Sequence, residues 1–213
     1  MDALAFFIYA FTSFFIIVNP IGGIITFISL TAPMSAVERI AIAKRAVTVA
    51  CVLAIVFALA GELILRIFGV TVDSLRVAGG VLLFIVALDM VLARISRESV
   101  TEEEIRDAAR REDIAVFPIA TPLLTGPGAI TTVIVIIRTG QTLDLKLIAI
   151  GAIILTFALS YLIFRFAGQI HKLLGVTGSL VITRVMGLLL GAIAVNFIAT
   201  GIWNLYQSML GAA

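Results

Sequence analysis

Charged residues are scarce in this chain of 213 residues, of which Asp, Glu, Lys and Arg together make up 13%. Soluble domains carry roughly 25% charged residues, whereas here 62% of the residues are hydrophobic and the mean hydropathy is +1.20. This composition excludes a water-soluble domain. Cysteine and histidine occur once each, as Cys51 and His171. The chain therefore forms no internal disulfide, no thiol pair and no metal site built on these side chains.

Signatures of catalysis and of nucleic-acid binding are also missing. The net charge is +2 and the basic residues are scattered along the chain, which argues against a nucleic-acid partner. No nucleophile-elbow spacing surrounds Ser179 and no pair of intramembrane aspartates occurs. Because these constellations carry hydrolytic chemistry, we expect neither an enzyme nor a bound cofactor or metal.

The chain does contain six long apolar windows, each flanked by charged or turn residues. They lie at about 4–31, 46–65, 75–93, 114–137, 147–164 and 180–210. A helical span needs about 20 apolar residues, so the sequence predicts an all-α integral membrane protein with six transmembrane helices and an uncleaved first span. The charged stretch 94–113 separates a predicted repeat one, residues 1–93, from repeat two, residues 114–213.

Short motifs recur between these halves at almost one spacing. The run FGVT at 68–71 recurs as LGVT at 174–177, and RVxG at 76–79 recurs at 184–187, which are offsets of 106 and 108 residues. Such matches predict a duplicated unit. Three crossings per unit, an odd number, place the second copy upside down relative to the first. The predicted fold is therefore two inverted three-helix repeats.

Basic residues set the predicted orientation. With six crossings, eleven Lys and Arg fall on one side of the membrane and four on the other. Because positive loops stay inside, the linker 94–113 is predicted to be cytoplasmic and both termini lie outside the cell membrane. A rival geometry folds the first and fourth segments into re-entrant hairpins. This geometry places ten basic residues on one side of the membrane and five on the other, and it makes the two repeats parallel.

Proline and glycine interrupt the first and fourth apolar segments. The first contains Asn-Pro-Ile-Gly-Gly at 19–23, and the fourth contains Thr-Gly-Pro-Gly at 125–128. Proline removes a backbone donor, and glycine leaves helical geometry at little cost. We predict that both helices are broken and that a solute binds at the two interruptions. The candidate residues are Asn19, Pro20, Gly22, Gly23, Thr26, Thr121, Thr125, Gly126, Pro127 and Gly128.

A broken helix exposes backbone groups that a continuous helix uses internally. The N–H groups at the start of the second half suit a carboxylate, and the carbonyl groups at the end of the first half suit a cation. A zwitterionic amino acid carries both charges about one residue apart. Two breaks brought together by pseudo-symmetry therefore predict a site for such a solute.

Three further polar residues lie inside apolar segments. Glu62 and Asp89 are candidates to carry a coupling proton, since an intramembrane carboxylate is often functional. Each is also close in sequence to an arginine, so interfacial ion pairing is the alternative. Asn196 lies in the middle of the sixth segment, where an amide either bonds a neighbouring helix or contacts the solute.

The ordered motifs resemble the MarC family of integral membrane proteins. They are Asn-Pro-Ile-Gly at 19–22, Pro-Leu-Leu-Thr-Gly-Pro-Gly-Ala-Ile at 122–130 and Arg-x-x-Gly-Leu-Leu-Leu-x-Ala-Ile-Ala at 184–194. That family includes the SnatA-type carriers of small neutral amino acids. The resemblance implies six spans in two related halves, and transport of glycine, alanine or similar solutes coupled to protons.

Other functions stay open at this level. One alternative is a non-transporting membrane scaffold or regulatory protein, and another is an efflux carrier for a different small solute. Carbonyl groups at a break also suit sodium in place of a proton. Glycines at helical spacing on the third and sixth segments serve either internal packing or a homo-oligomer. The expected partners are a small neutral amino acid, a coupling ion and the lipid bilayer.

Overall fold

The structure is a computed structural model that describes residues 2–92 and 114–210. The predicted linker 94–113 lies outside these residues. The described residues form eight helical elements, which are α1 (Ala3–Val18), α2 (Gly23–Leu30), α3 (Ala36–Ile67), α4 (Val72–Val91), α5 (Ala115–Leu124), α6 (Pro127–Thr139), α7 (Leu143–Arg165) and α8 (Ala167–Leu210). The spanning part of α8 is Thr177–Leu210, and with α3, α4 and α7 it gives four helices able to cross a membrane alone. The bent pairs α1–α2 and α5–α6 supply two more, so the prediction of six spans with a broken first and fourth helix is confirmed.

The bends distinguish broken spans from re-entrant hairpins. The axes turn by 44° between α1 and α2 and by 58° between α5 and α6. A chain that turns by less than 90° continues across the bilayer, whereas a hairpin reverses. The 16 residues of α1 and 8 residues of α2 extend about 24 Å and about 12 Å. Together they match a hydrocarbon core about 30 Å thick, which favours broken spans.

Caps and turns recur in the two halves. Ser35 caps α3 and Thr142 caps α7, and each side chain accepts the backbone N–H three residues later. Gly69 and Gly175 both have positive φ, at 67° and 63°, a conformation that favours glycine. The spacings are 107 and 106 residues. These spacings are close to the offsets at which the motifs recur in the sequence.

Helices of one half pack against helices of the other half. α1 contacts α7 while α5 contacts α3, and α4 forms its most extensive contact with α8. The larger apolar core includes an edge-to-face contact between Phe14 of α1 and Phe157 of α7. A smaller core joins Leu83 of α4 to Leu190 of α8. These contacts between the two halves place the two bent spans next to one another.

The third element begins ten residues before the predicted apolar window at 46. Ser35 Oγ accepts from the Glu38 N–H at 3.3 Å, and Glu38 Oε2 accepts from the Ser35 N–H at 2.8 Å. This reciprocal capping box starts α3 at Ala36. Hydropathy misses these first turns because they carry charged side chains, among them Arg39.

Candidate functional site

The first break, residues 19–22 between α1 and α2, is a tight turn held by Asn19. Asn19 has a φ of 46°, which asparagine adopts more readily than most residues. Its Oδ1 accepts from the Gly22 N–H at 3.2 Å, and its carbonyl accepts from the Gly23 N–H at 3.1 Å. A side chain at Gly22 would collide with the Asn19 amide. Pro20 has no N–H for the Ile16 carbonyl, so this break satisfies the start of α2 but leaves a carbonyl at the end of α1.

This result corrects one part of the sequence reasoning. Both second halves were expected to offer free N–H groups, but the N–H groups of Gly22 and of Gly23, the first residue of α2, donate to Asn19. The Asn19 amide also reaches α4, because its Nδ2 donates to Met90 Sδ at 3.8 Å. Asp89, the neighbour of Met90, is partly buried near the end of α4. Nothing in the sequence singles out Met90, since a thioether carries no polar signal.

The second break, residues 125–126, follows an irregular helical segment. In α5 the Thr125 N–H donates to the Ala120 carbonyl, five residues earlier, at 2.9 Å. Phe117 and Thr121 within it have extended backbone angles. Sequence patterns predict a plain broken helix here, whereas the structure shows wider helical turns that contain Pro118 and Pro122.

The start of α6 is uncapped by any side chain. Gly126 is its N-cap, and Pro127 occupies the first helical position, where a missing N–H is harmless. The N–H groups of Gly128 and Ala129 come next in this first turn and have no helical acceptor. They lie at the positive end of the α6 dipole. This end of the second break therefore offers donors to an anionic group.

The two breaks lie against each other. A Cβ added to Gly128 would lie 3.9 Å from Ile17 Cγ2, and one added to Gly23 would lie 3.8 Å from Leu123 Cδ2. The last turn of α1 is thus beside the first turn of α6, and the start of α2 is beside the end of α5. The two breaks are therefore neighbours in the bundle. Gly128 also contacts Leu83, which brings α4 to the same place.

The hydroxyl groups at the breaks have different surroundings. Thr125 is fully buried, and its hydroxyl donates to the Ala50 carbonyl of α3 at 3.1 Å. The Oγ1 atom of Thr121 is buried and has no hydrogen-bond partner within residues 2–92 and 114–210. Thr26 is half-buried on α2. Thr125 therefore anchors the second break to α3, while Thr121 retains a hydroxyl for a ligand.

Two predicted residues lie away from the breaks. Asn196 is exposed on α8, and its Oδ1 accepts from Thr200 on the same helix at 3.0 Å. Glu62 lies 2.9 Å from Arg66 and 3.7 Å from Arg138, so its predicted ion pairing is confirmed. In the part of the chain that the structure describes, no group of three or more His, Cys, Asp and Glu side chains is placed to hold a metal.

Comparisons with known proteins agree with this membrane architecture. The profile of "MarC family integral membrane protein" matches residues 4–206. The UPF0056 membrane protein MJ1677 of Methanocaldococcus jannaschii is 40% identical over 199 residues, which cover 93% of this chain and 97% of the relative. A UPF0056 membrane protein of Aquifex aeolicus is 38% identical, with 94% of each chain covered. The UPF0056 membrane protein YhcE of Escherichia coli is 37% identical, with coverages of 94% and 93%.

No solved structure matches the chain. The family profile nevertheless covers nearly all of it, and the relatives cover it from end to end at similar length. The apolar helices and the two bent spans are those of a multi-pass membrane protein. The chain belongs to the MarC family of integral membrane proteins.

Proposed function

We propose that the protein is a secondary transporter of small neutral amino acids, such as glycine and alanine, coupled to protons across the cell membrane. The observation that carries this proposal is the contact between the two breaks. The end of α1 lies beside the start of α6, with Ile17 Cγ2 3.9 Å from a Cβ added to Gly128. Secondary transporters commonly bind their solutes where broken helices of two repeats meet.

The chemistry of the breaks fits a zwitterion. The N–H groups of Gly128 and Ala129 would hold the carboxylate, and the carbonyl end of α1, including Ile16, would hold the ammonium group. Residues 19–23 and 125–128 contain no charged side chain, so the site favours a solute with no net charge. Leu83 packs against Gly128, which limits the room and favours a small side chain.

Movement of one repeat against the other would expose this site to each side in turn. Asn19 and Met90 connect the first break to α4, and Thr125 connects the second break to α3. Each break is therefore tied to a continuous helix of repeat one. A displacement of α3 or α4 would move the binding groups with it.

Uptake by proteoliposomes tests the proposed function. Purified protein reconstituted with a pH gradient should accumulate labelled glycine and alanine, and a protonophore should abolish the accumulation. Empty liposomes and heat-inactivated protein are the controls. Absence of glycine and alanine uptake by correctly inserted protein would overturn the proposal. Uptake of another solute class instead would identify a carrier with different cargo, and no uptake at all would favour a scaffold.

The unpaired Thr121 hydroxyl gives a sharper prediction. Thr121→Val removes a buried polar atom that has no hydrogen-bond partner among the described residues, so the variant should unfold at the same temperature as the parent or higher. Its glycine affinity should fall about tenfold, because a hydrogen bond to a charged group contributes roughly 1.5 kcal/mol. Thr125→Val is the matched control. It should lose thermal stability, since Thr125 bonds the Ala50 carbonyl.

The two carboxylates should differ in proton coupling. Asp89 is adjacent to Met90, which contacts Asn19 of the first break, whereas Glu62 pairs with Arg66 at an exposed position. We expect Asp89→Asn to abolish uphill uptake but to retain glycine exchange between loaded vesicles. Glu62→Gln should retain both activities. Uphill uptake by Asp89→Asn at the parental rate would remove Asp89 from the coupling step.

A further inference from the structure

A cavity of about 370 Å³ lies at one end of the bundle, between the end of α2, the start of α3 and the junction of α7 with α8. Its volume lies within the range of small-molecule sites. Its lining includes Phe27, Thr31, Arg39, Phe164, Arg165 and Gly168. The charge distribution predicts that this end faces the cytoplasm.

An aromatic pair borders both this cavity and the first break. The rings of Phe27 and Phe164 are stacked, with centroids 4.7 Å apart and planes 12° apart. Both side chains are buried, and both line the cavity. The Phe164 ring is also 3.3 Å from a Cβ added to Gly23, the first residue of α2. The stack therefore contacts the cavity and the helix start that follows the break.

The cavity is also positively charged. Arg39 is fixed there, because its Nε and Nη2 donate to the Met34 and Ala32 carbonyls at 3.1 and 2.9 Å. A guanidinium has five N–H donors, and within residues 2–92 and 114–210 the other three have no acceptor. Arg165 contributes a second cation, and its Nη1 donates to the Tyr161 hydroxyl at 3.3 Å. Among the lining residues that the structure describes, none is Asp or Glu.

We propose that this cavity is the vestibule through which the solute passes between one side of the membrane and the breaks. Arg39 and Arg165 attract the solute carboxylate into it, and the Phe27–Phe164 stack is the barrier that closes the breaks from it. This inference rests on the proposed function for the identity of the solute. The barrier and the charge of the vestibule are properties of the protein that are measurable without a transport assay.

Single-cysteine reporters in sealed membrane vesicles test the barrier and the charge of the vestibule. The native Cys51 is first replaced by Ala. Gly168→Cys then reports on the vestibule, where an added side chain meets no atom within 4 Å. Leu123→Cys reports on the breaks, because Leu123 is next to Gly23. Membrane-impermeant methanethiosulfonates, one anionic and one cationic, are applied to the face from which Gly168→Cys reacts.

Opening the Phe27–Phe164 stack should make Leu123→Cys more accessible to the reagents. We expect Leu123→Cys to react slowly in the parent background and at least ten times faster with Phe27→Ala or Phe164→Leu. Phe14→Ala is the matched control, since Phe14 and Phe157 form a buried aromatic pair between α1 and α7. It should leave the rate low. Fast reaction in the parent, or equal rates for Phe27→Ala and Phe14→Ala, would overturn the barrier.

Charge selectivity tests the arginines. Both reagents attack the same thiolate, so the ratio of the anionic to the cationic rate cancels any effect on thiol ionisation. With Gly168→Cys, Arg165→Gln or Arg39→Gln should lower this ratio about fivefold, which corresponds to one nearby charge in a partly solvated site. An unchanged ratio in both variants would overturn the charged vestibule. These outcomes are independent of glycine uptake, whose absence would overturn only the proposed function.

Discussion

Gly128→Ala should reduce glycine uptake at least tenfold, although it adds only one methyl group. The added Cβ would collide with the Leu83 side chain of α4 and would lie 3.9 Å from Ile17 of α1. Overpacking of this kind costs roughly 1–3 kcal/mol. If α6 moves away from α1 to relieve the overpacking, the N–H and carbonyl groups of the two breaks separate. The same energy then appears as a loss of about tenfold or more in solute affinity.

A matched control and a rescue separate this effect from general damage. Gly151→Ala adds the same group on α7, where a Cβ meets no atom within 4 Å, and should leave uptake unchanged. Leu83→Val removes the δ carbons that collide with the new methyl group. The double variant Gly128→Ala/Leu83→Val should therefore recover most of the uptake. Parental uptake by Gly128→Ala alone would show that the spacing of the two breaks plays no part in transport.

Gly80→Val should lower the thermal unfolding midpoint by roughly 6–12 °C, which corresponds to about 3 kcal/mol in a domain of this size. Gly80 lies where α4 crosses α8. A Cβ there would lie 2.8 Å from Ile198 Cγ1 and 3.0 Å from the Ala194 carbonyl oxygen. A backbone oxygen has no rotamer with which to move aside, so the two helices must separate. Small residues allow close approach of this kind in membrane bundles.

Gly151→Val is the control for Gly80→Val, because it makes the same change in helix propensity at a position where an added Cβ meets no described atom within 4 Å. Its unfolding midpoint should stay within about 2 °C of the parent. Fluorescence-detected unfolding in one detergent compares the three proteins. A midpoint for Gly80→Val equal to that of Gly151→Val would show that α4 and α8 tolerate greater separation than the structure allows.

The sequence predicted the breaks because residues that are neighbours in the chain cause them. Pro20 and the glycines beside it interrupt a helix whatever surrounds them, and the structure ends α1 at Val18 and starts α2 at Gly23. The recurrence of FGVT and LGVT predicted two related halves. Gly69 and Gly175 within these motifs have nearly the same positive φ.

Features that depend on helix rotation were beyond the sequence. The sequence does not show which face of its helix an asparagine in an apolar segment occupies. Only the packing of α8 shows that Asn196 is exposed. The same holds for Met90, which meets Asn19 from a different span. The stack of Phe27 and Phe164 joins residues 137 positions apart in the chain. No periodicity or motif in the sequence predicts any of these contacts.

Thermal unfolding of the purified protein with three small ligands tests the central claim most directly. A ligand that binds only the folded protein at 100 times its Kd stabilises it by about 2.7 kcal/mol, roughly 5–11 °C in a domain of this size. If the two breaks hold a carboxylate and an ammonium group together, glycine should raise the midpoint. Acetate and methylamine, each with one of the two charges, should not raise it at the same concentration. No shift with glycine, or an equal shift with acetate or methylamine, would contradict a zwitterion site at the two breaks.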